Sequence, residues 1–439
     1  MFQCIGVMTG NSMDAVDVIY TRFDGDKMED ICAASQPVPT ELSDRFRSLK
    51  QRLAQNGGNI EQIAQDPEFN FSALHDDYVK IVAETINTMI SQNRINPHDV
   101  DLIGFHGQTC AHCPPSIARS KNPRDIYILQ IGSGQMLADL TGIPVAYDFR
   151  SDDLMNLGEA APLAPVHNKH IAADLKTKGI FPVAFCNGGN TGNISVVSEN
   201  RQSHREELFG WDVGPFNHFS DHLCRTELNT AYDAYGCFGA RGQINNNLLR
   251  RLFDTAVITK NGENFLYRRP PRSSDPAWYR IIPELTNPSL QIFDRLRTVQ
   301  YFSAYIFAYS LRFLPENIFK PRYFLLFGGG WKNPLVTSDF RSLLTGRAPI
   351  LPEHQEIFSK IQFPEAVVEW SDKFKYNSQY MEARIFADMA KCCLTREPFS
   401  YPGTTGCQTP TVGGIIARPG GSDNRRWSRA AKGWADKAC

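Results

Sequence analysis

The chain has 439 residues, 42% hydrophobic and 21% charged, a composition that excludes wholesale disorder and leaves room for one large or two medium domains. Its 46 basic and 47 acidic side chains give a net charge of -1, which argues against a dedicated nucleic-acid binder and for a small-molecule partner. No apolar run approaches the ~18 residues that span a bilayer, no leader pattern precedes the first strand, and eleven scattered cysteines suit a reducing compartment, so a cytoplasmic protein without a membrane segment is expected.

The pattern predicts a strand from Gln3 to Met8, a tight polar turn at Thr9 to Ser12, and a second strand from Asp17 to Phe23. A short loop between two strands is a hairpin, not the strand-to-helix turn of a P-loop. Leu74, Tyr78, Val82, Ile86 and Met89 recur at helical spacing through Arg94, and Pro97 stops the run. A strand from Asp101 to Phe105 ends at His106-Gly107-Gln108-Thr109. Strands from Ile126 to Ile131 and Val145 to Phe149 flank a helix around Met136 to Leu140. The small and polar run from Ser151 to Pro165 reads as a loop, which sets an expected boundary near Arg150. A second strand-turn-strand follows, Pro182 to Cys186, then NGGNTGNIS, then Ile194 to Val197. Helices are expected at Phe219 to Leu228, Ile244 to Phe253 and Leu296 to Leu314. A strand from Tyr323 to Phe327 runs into Gly328, Gly329 and Gly330, and a last helix spans Met381 to Leu394. Each half opens alike, which suggests two related α/β halves facing a cleft. The expected division is a first lobe, 1–150, completed by C-terminal helical residues, a second lobe, 151–417, and a basic tail, 418–439. That tail carries six basic and two acidic residues with Trp427 and Trp434, and reads as solvated.

Five stretches carry chemistry. In TGNSMDAVD, Thr9 to Asp17, small residues let backbone N–H groups approach an anion, Asn11 and Ser12 add donors, and Asp14 and Asp17 could hold a hydrated magnesium ion. The plain alternative is an ordinary hairpin. In GWDVGPFN, Asp212 stands beside Trp211 near a strand end, where a screened carboxylate can work as a base, or where it can simply cap a helix. In FGGGWKNP, three glycines allow a ligand close to the backbone, and Asn333 can contact it or cap a helix. HGQTCAHC has the Cys110-x-x-Cys113 spacing of a zinc site, but the remaining close pair, Cys392-Cys393, does not match it, so a polar strand-end loop is expected. A hydrolase built on Cys110 lacks a nucleophile elbow. In DFRSDD, Arg150 can fork onto a carboxylate, and Asp152 and Asp153 can accept sugar hydroxyls, unless the cluster is only surface.

Taken in order, these stretches resemble the anhydro-N-acetylmuramic acid kinase family, bacterial sugar kinases of the superfamily that holds hexokinase, actin and the heat-shock ATPases. The resemblance runs from Gly6 to Ile415, through GVMTGNSMDAVD, HGQT, DFR, Ala161-Pro162-Leu163, Asp212 with Gly214-Pro215, PPRSS at Pro270 to Ser274, the triple glycine with Asn333-Pro334, and Glu382-Ala383. It implies a two-lobed ribonuclease-H-like (actin/hexokinase-type) α/β fold with a nucleotide and sugar cleft between the lobes. It also implies that a water activated by Asp212 opens the 1,6-anhydro ring and that O6 takes the γ-phosphate of ATP. By the same carry-over, Gly10, Asn11, Ser12, Met13, Asp14, Ala15, Val16 and Asp17 bind the ATP phosphates, with Asp14 at Mg²⁺. Gly328, Gly329, Gly330 and Asn333 lie near the adenosine. His106, Gln108, Arg150 and Glu382 line or support the sugar site, Arg150 facing the lactyl carboxylate. A homodimer is also implied. The chain departs from the family in Asn11 and Ala15 of the phosphate turn, and in Leu157, Glu159 and Phe216, of which Leu157 and Phe216 add bulk that could narrow the cleft. These departures leave two rivals: a kinase of the same fold for another sugar, and a silent relative that binds nucleotide or sugar.

Overall fold

The computed structural model describes residues 1–10, 13–25 and 27–434. In chain order its strands are β1 (Phe2–Thr9), β2 (Ala15–Asp24), β3 (Lys27–Pro37), β4 (Leu102–Phe105), β5 (Gln108–Cys113), β6 (Tyr127–Ile131) and β7 (Val145–Tyr147). They continue with β8 (Val183–Gly188), β9 (Thr191–Glu199), β10 (Glu206–Pro215), β11 (Tyr323–Phe327), β12 (Val367–Trp370) and β13 (Ile415–Ala417). The chain divides into two units. Unit 1 takes Met1–Asp174 and resumes at Tyr380, and unit 2 is the unbroken stretch Leu175–Gln379.

The sheet of unit 1 has the order β13-β7-β4-β1-β2-β3. The hairpin expected at the start is there: β1 and β2 run antiparallel with Gly6 opposite Ile19, while β4 and β7 add in parallel. The sheet of unit 2 has the order β10-β9-β8-β11-β12, again two antiparallel pairings followed by two parallel ones. Apart from the edge strand β13, which pairs antiparallel with β7, third-second-first-fourth-fifth is thus the order in both sheets. The α/β fold is ribonuclease-H-like, built twice, as the twin openings of the sequence suggested.

Helices cover these sheets along apolar stripes. In the helix Phe71–Gln92, Leu74, Tyr78, Val82, Ile86 and Met89 are all buried, the face that the spacing predicts. The helix Met381–Thr395 packs closer still. A Cβ on Gly6 of β1 would lie 1.9 Å from the Ala383 carbonyl oxygen, and one on Gly104 of β4 would lie 1.9 Å from that of Phe386. Gly6 and Gly104 are register partners, so adjacent bare positions let the helix backbone rest on the sheet. Among the described residues no helix is long and apolar enough to cross a membrane.

Four expectations need correction. The boundary falls at Asp174/Leu175 rather than near Arg150. The run from Ser151 to Pro165 is not a linker, because the short helix Ser151–Met155 buries Ser151, Asp153 and Leu154. HGQTCAHC is not a strand-end loop, since Gln108–Cys113 forms β5, paired antiparallel with β6. The tail is also docked rather than solvated: Ser428 and Ala430 are buried, and the Ile128 N–H donates to the Ala430 carbonyl at 2.7 Å. Residues 435–439 of that tail lie outside the described residues.

Candidate functional site

In unit 2, β10 carries Asp212 next to an irregularity in its pairing with β9, between Asp212 and Gly214. Bulges of this kind re-aim a side chain. Asp212 is 9% exposed, and its Oδ2 accepts from the Ser274 N–H at 2.8 Å and from the Ser273 hydroxyl at 3.3 Å. The loop that supplies both donors is held by Arg272, itself 1% exposed. Its guanidinium donates to the carbonyls of Asp212, Val213, Phe265, Leu266 and Arg268, and lies 4.7 Å over the Phe265 ring and 4.9 Å over that of Phe313. Burial, with neighbouring Arg312, pushes Arg272 down to about 9, and the Asp212 carboxylate counters that. The Tyr279 hydroxyl ties Ser274 Oγ (2.7 Å) to Thr191 Oγ1 (2.9 Å) on β9.

Asp212 is therefore not a helix cap, the plain alternative; Asn217 stands at the N-cap of the helix His218–Glu227. The expected screen is also different. Successive strand residues face opposite ways, and Trp211 packs edge-on to Phe313 at 6.5 Å while serines meet the carboxylate. Sequence reasoning quoted PPRSS but gave Arg272, Ser273 and Ser274 no role, and missed Tyr279. The available signal was an arginine followed by two serines inside an otherwise proline-rich turn.

The glycine turn after β11 is only partly a ligand surface. A Cβ on Gly328 (φ +90) would lie 2.5 Å from Asn187 Oδ1, and one on Gly330 would lie 2.3 Å from Asn217 Oδ1. Those two positions are bare because protein atoms fill the space. A Cβ on Gly329 meets nothing within 4 Å, so this is the glycine open to a ligand. Asn333 takes its other expected role, since its side chain caps the helix Pro334–Leu344 by accepting from the Leu335 N–H at 3.0 Å. Phe216 does not narrow a cleft. Its ring is buried 4.6 Å from Trp331 and 5.8 Å from Phe307.

In unit 1 the phosphate-turn candidates lie between β1 and β2. Gly10 closes a tight turn through its carbonyl, which accepts from the Met13 N–H at 3.0 Å. Met13 is buried at φ +59 and Val16 is core, so neither offers a side chain to a ligand. Asn11 and Ser12 lie outside the described residues. Asp14 is exposed and Ala15 opens β2. Among the described residues Asp17 Oδ1 is buried without a partner, and burial raises the Asp17 pKa while Ser35 draws it back. Asp14, exposed beside the turn, suits a phosphate-bound Mg²⁺, whereas Asp17, an odd number of positions further along the extended segment, faces the other side of the sheet. Gln108 braces this turn from beneath: with its amide oriented to satisfy both neighbours, it donates to the Thr9 carbonyl and accepts from Lys50 Nζ, each at 3.1 Å. Lys50, which burial pushes below the usual lysine range, is a second residue that sequence reasoning missed.

The structure brings His106 and Arg150 together. Arg150 Nε donates to His106 Nε2 at 3.1 Å, and Nη1 donates to the Ala160 carbonyl. Burial and that guanidinium hold His106 well below the usual histidine range. Glu382 lies in the first turn of the helix Met381–Thr395. Asp152 and Asp153 do not face a sugar. Asp153 is fully buried on Thr405 Oγ1 (2.6 Å) and the Ala160 N–H (2.7 Å), and Asp152 accepts from the Gly414 N–H at 2.9 Å and from Arg429. Leu157 (φ +60) packs against the cluster around Leu154, and Glu159 accepts from the Ser116 N–H at 3.1 Å. Burial pushes the Cys110 thiol up to about 12, which does not suit a nucleophile. One cluster, His170, Asp388 and Cys392, brings ligand-type atoms within 4.8 Å, but both nitrogens of His170 are already engaged, with Asp388 at 2.7 Å and Glu397 at 3.1 Å.

Across residues 2–419 the chain matches the family model described as anhydro-N-acetylmuramic acid kinase. The chain belongs to that family. A relative named anhydro-N-acetylmuramic acid kinase from Brucella canis is 29% identical over 418 residues, covering 95% of this chain and 99% of its own. One of the same name from Methylorubrum populi is 29% identical over 427 residues, covering 95% and 100%. Among solved structures, (R)-2-hydroxyglutaryl-CoA dehydratase component A of Acidaminococcus fermentans is similar with a TM-score of 0.39 at 10% identity, over 89% of this chain and 98% of that one. A ROK family glucokinase from Streptomyces griseus, in complex with glucose and AMPPNP, is similar with a TM-score of 0.33 at 12% identity, over 89% and 99%. Membership of the family makes the chain a sugar kinase.

Proposed function

We propose that this kinase opens the 1,6-anhydro ring of anhydro-N-acetylmuramic acid with water and phosphorylates O6, using ATP, as a step in recycling cell-wall sugars. The observation that carries the reading is the Asp212 carboxylate, buried and oriented by the Ser273–Ser274 loop that Arg272 holds in place. In the proposed step Asp212 takes a proton from water as its oxygen bonds to the anomeric carbon. The bond from that carbon to O6 breaks, O6 bonds to the γ-phosphorus, and ADP leaves. The Arg150–His106 pair suits a sugar carrying a carboxylate, because a half-buried guanidinium can fork onto one. Asp14 would hold Mg²⁺, which neutralises phosphate charge when bound. Gly10 and Gly329 would face the nucleotide, and Gln108 and Glu382 would support the sugar site.

The bulky departures that favoured another sugar argue less for it here, since Phe216, Leu157 and Glu159 all spend their side chains on internal packing and capping. The reading also takes the protein as cytoplasmic and homodimeric, which light scattering checks for the second. Incubation with ATP, Mg²⁺ and the anhydrosugar, followed for ADP and sugar phosphate, is the direct test. Asp212→Asn is expected to lower turnover about 10³-fold while the KM for ATP stays within several-fold. ADP release only with other sugars, or full activity in Asp212→Asn, refutes the reading.

A further inference from the structure

The family match ends at residue 419, yet the chain continues into a strap laid antiparallel along β6. The Gly132 N–H donates to the Arg426 carbonyl, the Ser428 N–H to the Gln130 carbonyl, and the Gln130 N–H to Ser428 Oγ, each at 3.0 Å. Trp427 packs edge-on to Phe71 with ring centroids 5.7 Å apart. The strap also reaches the DFRSDD segment. Arg429 meets Asp148 through Nε (2.7 Å) and its backbone N–H (2.9 Å), and meets Asp152 through Nη2 (2.5 Å). Its neighbour Ala430 donates its N–H to Ser151 Oγ at 3.0 Å.

Arg150 sits between those two carboxylates in sequence, and Asp148 holds a left-handed backbone (φ +58) that side chains rarely adopt. Gln130, gripped by Ser428, donates its side-chain N–H to the His106 carbonyl at 2.8 Å. Both members of the His106–Arg150 pair are therefore backed by the same short stretch. We propose that the strap Arg426–Ala430 is a positioning element of the sugar site, in which Arg429 clamps the carboxylates that flank Arg150 and Ser428 holds the strand behind His106. The role rests on the reading above, that His106 and Arg150 receive the sugar. It extends that reading to residues beyond the family match. An exposed basic tail would bind partners through its charge; this one spends Arg429 on Asp148 and Asp152, and its Ser428 and Ala430 are buried.

The test compares the full chain with Arg429→Met and Arg429→Lys, measuring KM for the anhydrosugar and for ATP, thermal midpoints, and amide exchange across residues 148–154. In Arg429→Met the sugar KM is expected to rise about tenfold with the ATP KM within twofold, and exchange across 148–154 to quicken about tenfold. Arg429→Lys, which keeps the charge but cannot span both carboxylates with one fork, is expected to recover only part of the sugar KM. An unchanged sugar KM or unchanged exchange overturns the proposal. So does a common rise in both KM values that follows a fall in thermal midpoint, which marks a merely structural tail. If the unaltered protein does not phosphorylate the anhydrosugar, the reading of the function fails instead, and the exchange measurement alone decides whether Arg429 orders the Arg150 segment.

Discussion

Replacing Gly104 with alanine tests the packing that seats the helix Met381–Thr395. The added Cβ would stand 1.9 Å from the Phe386 carbonyl oxygen, 2.6 Å from its carbon and 3.2 Å from Ala390 Cβ. Two of these neighbours are backbone, and β4 is held by β1 on one side and β7 on the other, so the strand cannot slide away. The helix must retreat by about 1 Å or more along its contact with the sheet, which forfeits dispersion contacts across both glycines. Overpacking costs typically ~1–3 kcal/mol, and a backbone collision belongs at the upper end, about 3 kcal/mol. For a unit of roughly 230 residues that corresponds to a fall in Tm of about 6–12 °C. Calorimetry of the Gly104→Ala protein beside Gly142→Ala gives the comparison. Gly142 (φ +72) has nothing within 4 Å of its Cβ and should lose only the backbone penalty, about 1 kcal/mol. Because Glu382 begins the displaced helix, the sugar KM should rise in Gly104→Ala alone. A Gly104→Ala midpoint no lower than that of Gly142→Ala refutes the close-packing argument.

Gly329→Ala is expected to leave stability within about 0.5 kcal/mol, since its Cβ meets open space, while raising the KM for ATP several-fold. Gly330→Ala should instead lower the thermal midpoint of unit 2, and an unchanged ATP KM in Gly329→Ala would remove that turn from the nucleotide. A pH titration probes the buried cluster in which His170 meets Asp388 and Glu397, with His167, Lys391 and Cys392 around them. Although burial opposes it, the Asp388 charge raises His170 to about 9. A raised histidine stabilises fully below its unfolded pKa, so this contribution, at most about 3 kcal/mol, is present at pH 6 and lost as pH rises from about 6.5 through about 9. Urea unfolding at pH 6 and pH 9.5 measures it, and the decline should flatten in His170→Gln; an equal decline in that variant would assign the effect elsewhere.

The hairpins, the long helices and the twin openings were legible because each buries one face with a regular period. β5 was not, because Gln108–Cys113 is mostly polar and half-buried, and its partner β6 can be chosen only in three dimensions. The single helical turn at Ser151–Met155 hid among polar residues that are buried through hydrogen bonds, Asp153 on Thr405 above all. Asp212 stood out by resemblance and chemistry. Arg272 did not, since its work is to bond carbonyls 60 residues away in the chain, which leaves no periodic trace. The docked tail escaped for a related reason: six basic residues look alike whether water or Asp148 receives them.

That unit 2 interrupts unit 1 has a consequence during synthesis. Leu175–Gln379 leave the ribosome as one contiguous stretch and can fold at once, whereas Met1–Asp174 emerge first yet wait for Tyr380 and beyond. Until then the nascent chain offers water the glycine face of β1 and β4 and the outer edge of β7, which β13 later covers. Open edges of that kind recruit other chains, so the interval before Tyr380 emerges is when unit 1 is most exposed to pairing with other chains.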